Sequence, residues 1–177
     1  MGIRARQYRD MRIHPIHEGT TGIQGLDLLG RKSTLKQGRA VMYLMEEMAA
    51  AMQASREFSL TKAYSGRMEE GLGVLSKALN ARLAVAGQGR VADFLADATL
   101  YLELFGLVCI AWQWLKQGTA AAKVLEENPT PGEADFCRGK LASMKYFFHY
   151  ELPKMHGLAR RLEEDDDLLT GLSPDTF

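Results

Sequence analysis

Apolar residues in this 177-residue chain recur at steps of three and four, and period-2 alternation is almost absent. That pattern suits amphipathic helices and offers almost nothing for a half-buried sheet. Val41, Leu44, Met45, Met48 and Met52 form one stripe, and Met68, Leu72, Leu75, Leu79 and Leu83 a second. Gly71 and Gly73 interrupt the second stripe. A glycine inside a helix costs about 1 kcal/mol, so the pair predicts a close helix–helix contact there. The clearest stripe is the third: Val91, Phe94, Leu95, Ala98, Tyr101, Leu102, Phe105, Val108, Cys109 and Trp112. Read as one helix, residues 91–116 make a rod about 39 Å long. Cys137, Leu141, Met144 and Phe148 form a fourth stripe, widened by Phe136 and Phe147.

The breaks between stripes are equally legible. Gly87-Gln88-Gly89 separates the second from the third, and Asn128-Pro129-Thr130-Pro131-Gly132 precedes the fourth. Glu133 and Asp135 favour a helix start after that cluster, because carboxylates complement a helix N-terminus. Pro153 lacks an N–H and should stop or kink the fourth helix. Four long amphipathic segments with short connections predict an all-α fold: an antiparallel four-helix bundle, preceded by a short helix–loop–helix segment. The expected division is 1–36 for that segment, 37–164 for the bundle and 165–177 for an acidic, flexible tail.

Charge and composition narrow the function classes. The 22 basic and 22 acidic side chains balance, so no broad footprint for nucleic acid is expected. The longest uncharged run, Leu104 to Leu115, is too short to span a bilayer. Two cysteines, Cys109 and Cys137, sit in apolar helical patterns and read as buried, reduced thiols. With no signal peptide visible, a cytoplasmic protein is expected. None of His14, His17, His149 or His156 follows an acid by three residues, so a di-metal bundle site is not expected. The Met stripe reads as core packing. Charge is uneven, however: residues 1–39 hold eight basic and three acidic residues, a net of +5, and the rest hold fourteen and nineteen. The split fits two solvated faces, or an N-terminal segment that meets something anionic. The run Glu163-Glu164-Asp165-Asp166-Asp167 fits a solvated end or a docking tail.

One stretch does not read as bundle: Tyr8 to Gln24. Pro15 biases His14 away from helix, so a first helix should end there. Thr21-Gly22-Ile23-Gln24 has a capping-box spacing, which starts a second helix near Gly22 running through Leu26, Leu28 and Leu29 toward Arg31. The loop between them holds Glu18. Free N–H groups of the second helix face this loop, and Gly19 permits close backbone approach to a ligand. Two histidines across a proline, His14 and His17, are only a weak metal signal beside Glu18.

Arg9-Asp10-Met11-Arg12-Ile13 followed by Ile16-His17-Glu18-Gly19-Thr20-Thr21-Gly22-Ile23-Gln24 resembles the C-terminal signature of the acyl-CoA dehydrogenases. Leu26-Asp27-Leu28-Leu29-Gly30-Arg31-Lys32 continues the likeness to the longer members. Trp112, Ala120–Ala122 and the stretch from Lys140 to Pro153 resemble their extra C-terminal helical domain. The resemblance implies flavin-dependent α,β-dehydrogenation of an acyl-CoA thioester. It implies Glu18 as the base, with its backbone N–H polarising the thioester carbonyl. It places His17 and Gly19 against the substrate and Thr20 against FAD, and assigns no metal. His17 replaces the family's usual tyrosine, which implies a more polar acyl group or an altered function. Gly22 stands where shorter members often have glutamine. The implied partners are an electron-transfer protein, further copies in a homo-oligomer, and N-terminal domains of the same enzyme, of which this chain would be the last part. The alternative is a stand-alone helical module that scaffolds or binds a partner without catalysis.

Overall fold

The computed structural model describes residues 8–13, 19–173 and 175, and every regular element among them is helical. Residues 8–11 are a short helical turn. Helix α1, Thr21–Leu26, passes directly into a π-helical stretch, Asp27–Lys32. Then come α2 (Arg39–Ser55), α3 (Lys62–Gly87), α4 (Val91–Ala96) and α5 (Ala98–Glu126). Helix α6, Pro131–Tyr146, continues through a π turn, Phe147–Glu151, and a 3-10 turn, Leu152–Lys154, into α7, Met155–Glu163. Pro153 sits where the winding changes, as its missing N–H requires.

Helix α5 is the axis of the packing. It touches α1, α2, α3, α6 and α7, while α3 also packs on α2, α4 and α7. The core takes Met48 and Met52 from α2, Met68 and Leu75 from α3, Leu104, Val108 and Leu115 from α5, and Leu141 and Met144 from α6. Phe148, Met155 and Leu162 close it from the C-terminal side. Each large side chain so buried contributes roughly 1.5–3 kcal/mol. The methionine stripe is therefore core. Gly118 shows how tight this packing is: a Cβ there would overlap the sulfur of buried Met144.

The expected 91–116 rod is broken. The chain leaves helical geometry at Asp97, with φ −99° and ψ 24°, dividing α4 from α5. The buried face of α5 is centred on Leu104, Val108, Ala111 and Leu115, whereas Phe105, Cys109 and Trp112 lie half-buried along one edge and Val91 is exposed. Residues 104–115 are apolar nearly all round the helix, so periodicity alone could not choose the inner face.

The two α3 glycines also part company. Gly71 is buried against α5 and the C-terminal turns, where a Cβ would meet Val108, Leu152 and Met155 at 3.7–3.8 Å. Gly73 is exposed with open space beside it, so it makes no close contact.

The acidic run is exposed from Glu164 onward, and four of its five carboxylates meet cations. Glu163 meets Lys77 at 2.5 Å and Asp165 meets Arg90 at 2.6 Å. Asp166 meets Arg161 at 2.5 Å, and Thr170 donates to Asp93. Buried Arg82 donates to the backbone carbonyl of Glu164. One helix among the described residues, α5, is long and apolar enough by length and composition to cross a membrane. It carries Glu103 and Lys116, and 33% of its apolar stretch is buried against its neighbours.

Candidate functional site

Of the stretch with catalytic resemblance, residues 9–13 and those from Gly19 onward are described. His17 and Glu18 lie outside the described residues. Gly19 has φ +147°, a conformation that favours glycine, and a Cβ there would stand 2.6 Å from Nε2 of Gln24. Thr20 is extended, with φ −73° and ψ 124°, and is the N-cap of α1. Both residues are exposed.

The expected capping box does not form. Thr21 is the first helical residue rather than the cap, and no side-chain capping bond closes this end. Gln24 instead lays its amide beside Gly19, while its backbone N–H donates to the Thr20 carbonyl at 3.1 Å. The remaining N–H groups of the first turn face the Gly19–Thr20 turn, as free donors at a helix start do. The hydroxyl of Thr20 makes no capping bond, and nothing lies within 4 Å of a Cβ on Gly22. This edge is exposed, and its first-turn backbone donors carry no side-chain cap.

Behind the turn, the segment is fastened to the core at three places. Gly25 is buried so closely on α5 that a Cβ would lie 2.7 Å from the Ala98 carbonyl oxygen. Gly30 faces α4, where a Cβ would come 3.1 Å from Cδ2 of Leu95. Ser33 Oγ meets Tyr101 Oη at 3.1 Å, with both side chains buried. Burial raises the Tyr101 pKa, which keeps its hydroxyl neutral. Leu29, with no exposed surface, joins the core cluster from the same segment. Of the three fastening points, Gly25 and Ser33 were not singled out from sequence. Gly25 sits among leucines in a helical pattern, and that was the available signal.

An open cleft of about 540 Å³ runs beside the segment, lined by Ile23, Gln24, Asp27, Leu28, Arg31, Lys32 and Leu102. Its two cations share one carboxylate. Asp27 accepts from Arg31 Nε at 2.5 Å and meets Lys32 at 3.0 Å. The π winding places residues four and five apart on one side, so a single carboxylate reaches both. Hydrogen bonds from Arg31 and Lys32 lower the Asp27 pKa to about 2. Asp27 is already counted in the net charge of residues 1–39, so this pairing leaves the positive excess in place.

A family model described as "Acetyl-CoA dehydrogenase C-terminal like" matches residues 44–173. The chain is 32% identical over 166 residues to a 3-methylmercaptopropionyl-CoA dehydrogenase of Ruegeria pomeroyi, covering 93% of this chain and 28% of that protein. It is 28% identical over 161 residues to a butyryl-CoA dehydrogenase of Syntrophomonas wolfei, covering 89% and 26%. Against the broad-specificity linear acyl-CoA dehydrogenase FadE5 of Mycobacterium tuberculosis, identity is 27% over 174 residues, covering 91% and 27%. The chain spans about a quarter of the length of these relatives. The family model begins inside α2, beyond the segment that carries Gly19 and Thr20, and takes in α3 to α7 whole. On that match, the chain belongs to the acyl-CoA dehydrogenase family and corresponds to its C-terminal helical part.

Proposed function

We propose that this chain supplies the catalytic base and the C-terminal helical domain of a flavin-dependent acyl-CoA dehydrogenase. Glu18 takes the α-proton of the acyl-CoA thioester, and its backbone N–H helps polarise the thioester carbonyl. A carboxylate can do this when the closed site desolvates it, which raises its pKa toward the working pH. His17 and Gly19 border the acyl group, and polar His17 favours a polar acyl chain. Thr20 lies against FAD. The chemistry supplied by bound FAD is acceptance of the β-hydrogen as hydride.

The observation that carries this reading is the Gly19–Thr20 turn. It is exposed and open on its outer side, yet it leads into a helix locked to the core by Gly25, Gly30 and Ser33. An exposed turn on a rigid support suits a group that must meet a reactant supplied from outside. Residues 1–36 then end the catalytic helical domain, 37–164 form the C-terminal domain, and 165–177 are an acidic tail. Assembly into a homo-oligomer, reoxidation by an electron-transfer protein and a cytoplasmic location complete the proposal.

The test is Glu18→Gln in an enzyme that joins this chain to the family's N-terminal domains. Folding and flavin content should hold while turnover falls by about 10²–10⁴-fold, the usual worth of a general base. His17→Tyr should change the preferred acyl group and leave turnover measurable. Near-normal turnover of Glu18→Gln with flavin bound would overturn the assignment of the base.

A further inference from the structure

The break between α4 and α5 is held from outside the segment it serves. Asp97 is 5% exposed and accepts from both Nε and Nη2 of Arg161 at 3.1 Å. It is the N-cap of α5, but its side chain makes no capping bond, because Arg161 has it. Arg161, on α7, uses Nη1 to meet Asp166 at 2.5 Å and Glu164 at 3.2 Å. Desolvated carboxylates persist only with such partners.

The break is also where the segment bearing Gly19 and Thr20 is seated. Gly30 rests on Leu95, two residues before Asp97, and Gly25 on Ala98, one residue after it. Ser33 bonds Tyr101, one turn further along α5, whose N–H donates to the Asp97 carbonyl. The apolar periodicity of 91–116 favours one unbroken helix. A straightened helix would rotate Leu95 relative to Ala98, and the two glycines could not both keep their seats.

We propose that Asp97, gripped by Arg161, is a positioning residue. It holds the break at which residues 21–33 dock, and so sets where the Gly19–Thr20 turn stands. A functional consequence for dehydrogenation rests on the reading of that turn given above; the mechanical coupling does not. The path runs from the C-terminal acidic run through Arg161 and Asp97 to the opposite end of the chain.

The experiment is amide hydrogen exchange on the full chain carrying Asp97→Asn, Arg161→Gln or Arg161→Lys. The exposed pair Arg138–Asp135, at 2.8 Å on α6, supplies the control variant Arg138→Gln. Amides in 21–33 should exchange about tenfold faster in Asp97→Asn and Arg161→Gln, while those of α3 change less than about twofold. Arg161→Lys, which keeps the charge, should recover most of the protection, and Arg138→Gln should leave it intact. Unchanged protection of 21–33, or a loss equal to that in α3, would overturn the proposal. If the inner variants fail to fold, Asp166→Ala with Glu164→Gln takes away the charges on both outer contacts of Arg161 and leaves Asp97 in place. It must then still loosen 21–33, and no effect refutes the coupling. Loosening in an enzyme whose Glu18→Gln variant keeps its turnover would sustain the coupling and refute the catalytic reading alone.

Discussion

Tyr101 Oη and Ser33 Oγ meet at 3.1 Å between two side chains with almost no exposed surface, joining positions 68 residues apart. The bond ties the end of the π-helical stretch to the second turn of α5. A buried hydroxyl stripped of its partner costs about 1–3 kcal/mol, more than the net worth of the bond. Tyr101→Phe should therefore lower the urea unfolding free energy by that amount. Ser33→Ala with Tyr101→Phe should cost less than the two single losses added together. A strictly additive double-mutant cycle would show that the hydroxyls do not interact.

Gly25 and Gly22 lie three residues apart on α1 and should respond oppositely to alanine. At Gly25 the new methyl meets the Ala98 carbonyl oxygen at 2.7 Å and its carbon at 2.8 Å, backbone atoms that cannot rotate away. Overpacking of this kind costs about 1–3 kcal/mol. At Gly22 nothing lies within 4 Å, so alanine should stabilise by about 0.5–1 kcal/mol through reduced unfolded-state entropy. Thermal melts of the two variants should move to opposite sides of the parent chain.

How far the sequence could be read is clearest at two caps of similar spacing. Thr21 and Gln24 looked like a capping box but did not form one, because the Gln24 amide lies beside Gly19 instead. Thr130 and Glu133 do form one. The Glu133 N–H donates to Thr130 Oγ1 at 3.4 Å, and the Thr130 N–H donates to the Glu133 carboxylate at 3.0 Å. Pro131 at the first helical position reinforces that start, whereas Gly22 beside Thr21 does not. Helix existence and the Met48, Met52, Met68 and Met144 core were legible from periodicity. The break at Asp97 was not, and the side chain that bonds Asp97 there, Arg161, lies 64 residues away. Two partners of the acidic run were hidden for the same reason, Lys77 on α3 and Arg90 in the α3–α4 turn, whereas Arg161 lies three and five residues from Glu164 and Asp166. Within the candidate site, residue type marked Gly19 and the family resemblance marked Thr20, but the docking of Gly25 and Ser33 depends on which atoms of α5 arrive opposite them.

Asp27 gives a pH signature to this segment. Hydrogen bonds from Arg31 and Lys32 lower its pKa from 3.8 to about 2. A carboxylate depressed in the folded state contributes stability above its unfolded pKa and loses it as pH falls through the folded value. The contribution is therefore complete above about pH 4 and disappears between there and pH 2. A carbon-detected NMR titration should place the Asp27 carboxyl midpoint near 2. Arg31→Gln should move that midpoint upward. High salt should weaken the shift, since the partners are exposed. A midpoint at the ordinary aspartate value in the parent chain would show that the pair is not formed in solution.

Cys109 tests the packing along α5 by a different chemistry. It lies half-buried beside the core, and burial raises its thiol pKa to about 11. Only the thiolate reacts with alkylating agents. At pH 8 an ordinary cysteine, with a pKa near 8.5, is about one quarter ionised. A thiol of pKa 11 is ionised to about one part in a thousand, so its alkylation should run a few hundredfold slower. Iodoacetamide labelling at pH 8, followed by peptide mass analysis, should find Cys109 almost unmodified when a small-thiol standard is consumed. In urea, the residue should label at the standard's rate. Rapid labelling of Cys109 in the folded chain would mean that α5 exposes this edge, and that the half-buried row of Phe105, Cys109 and Trp112 opens in solution.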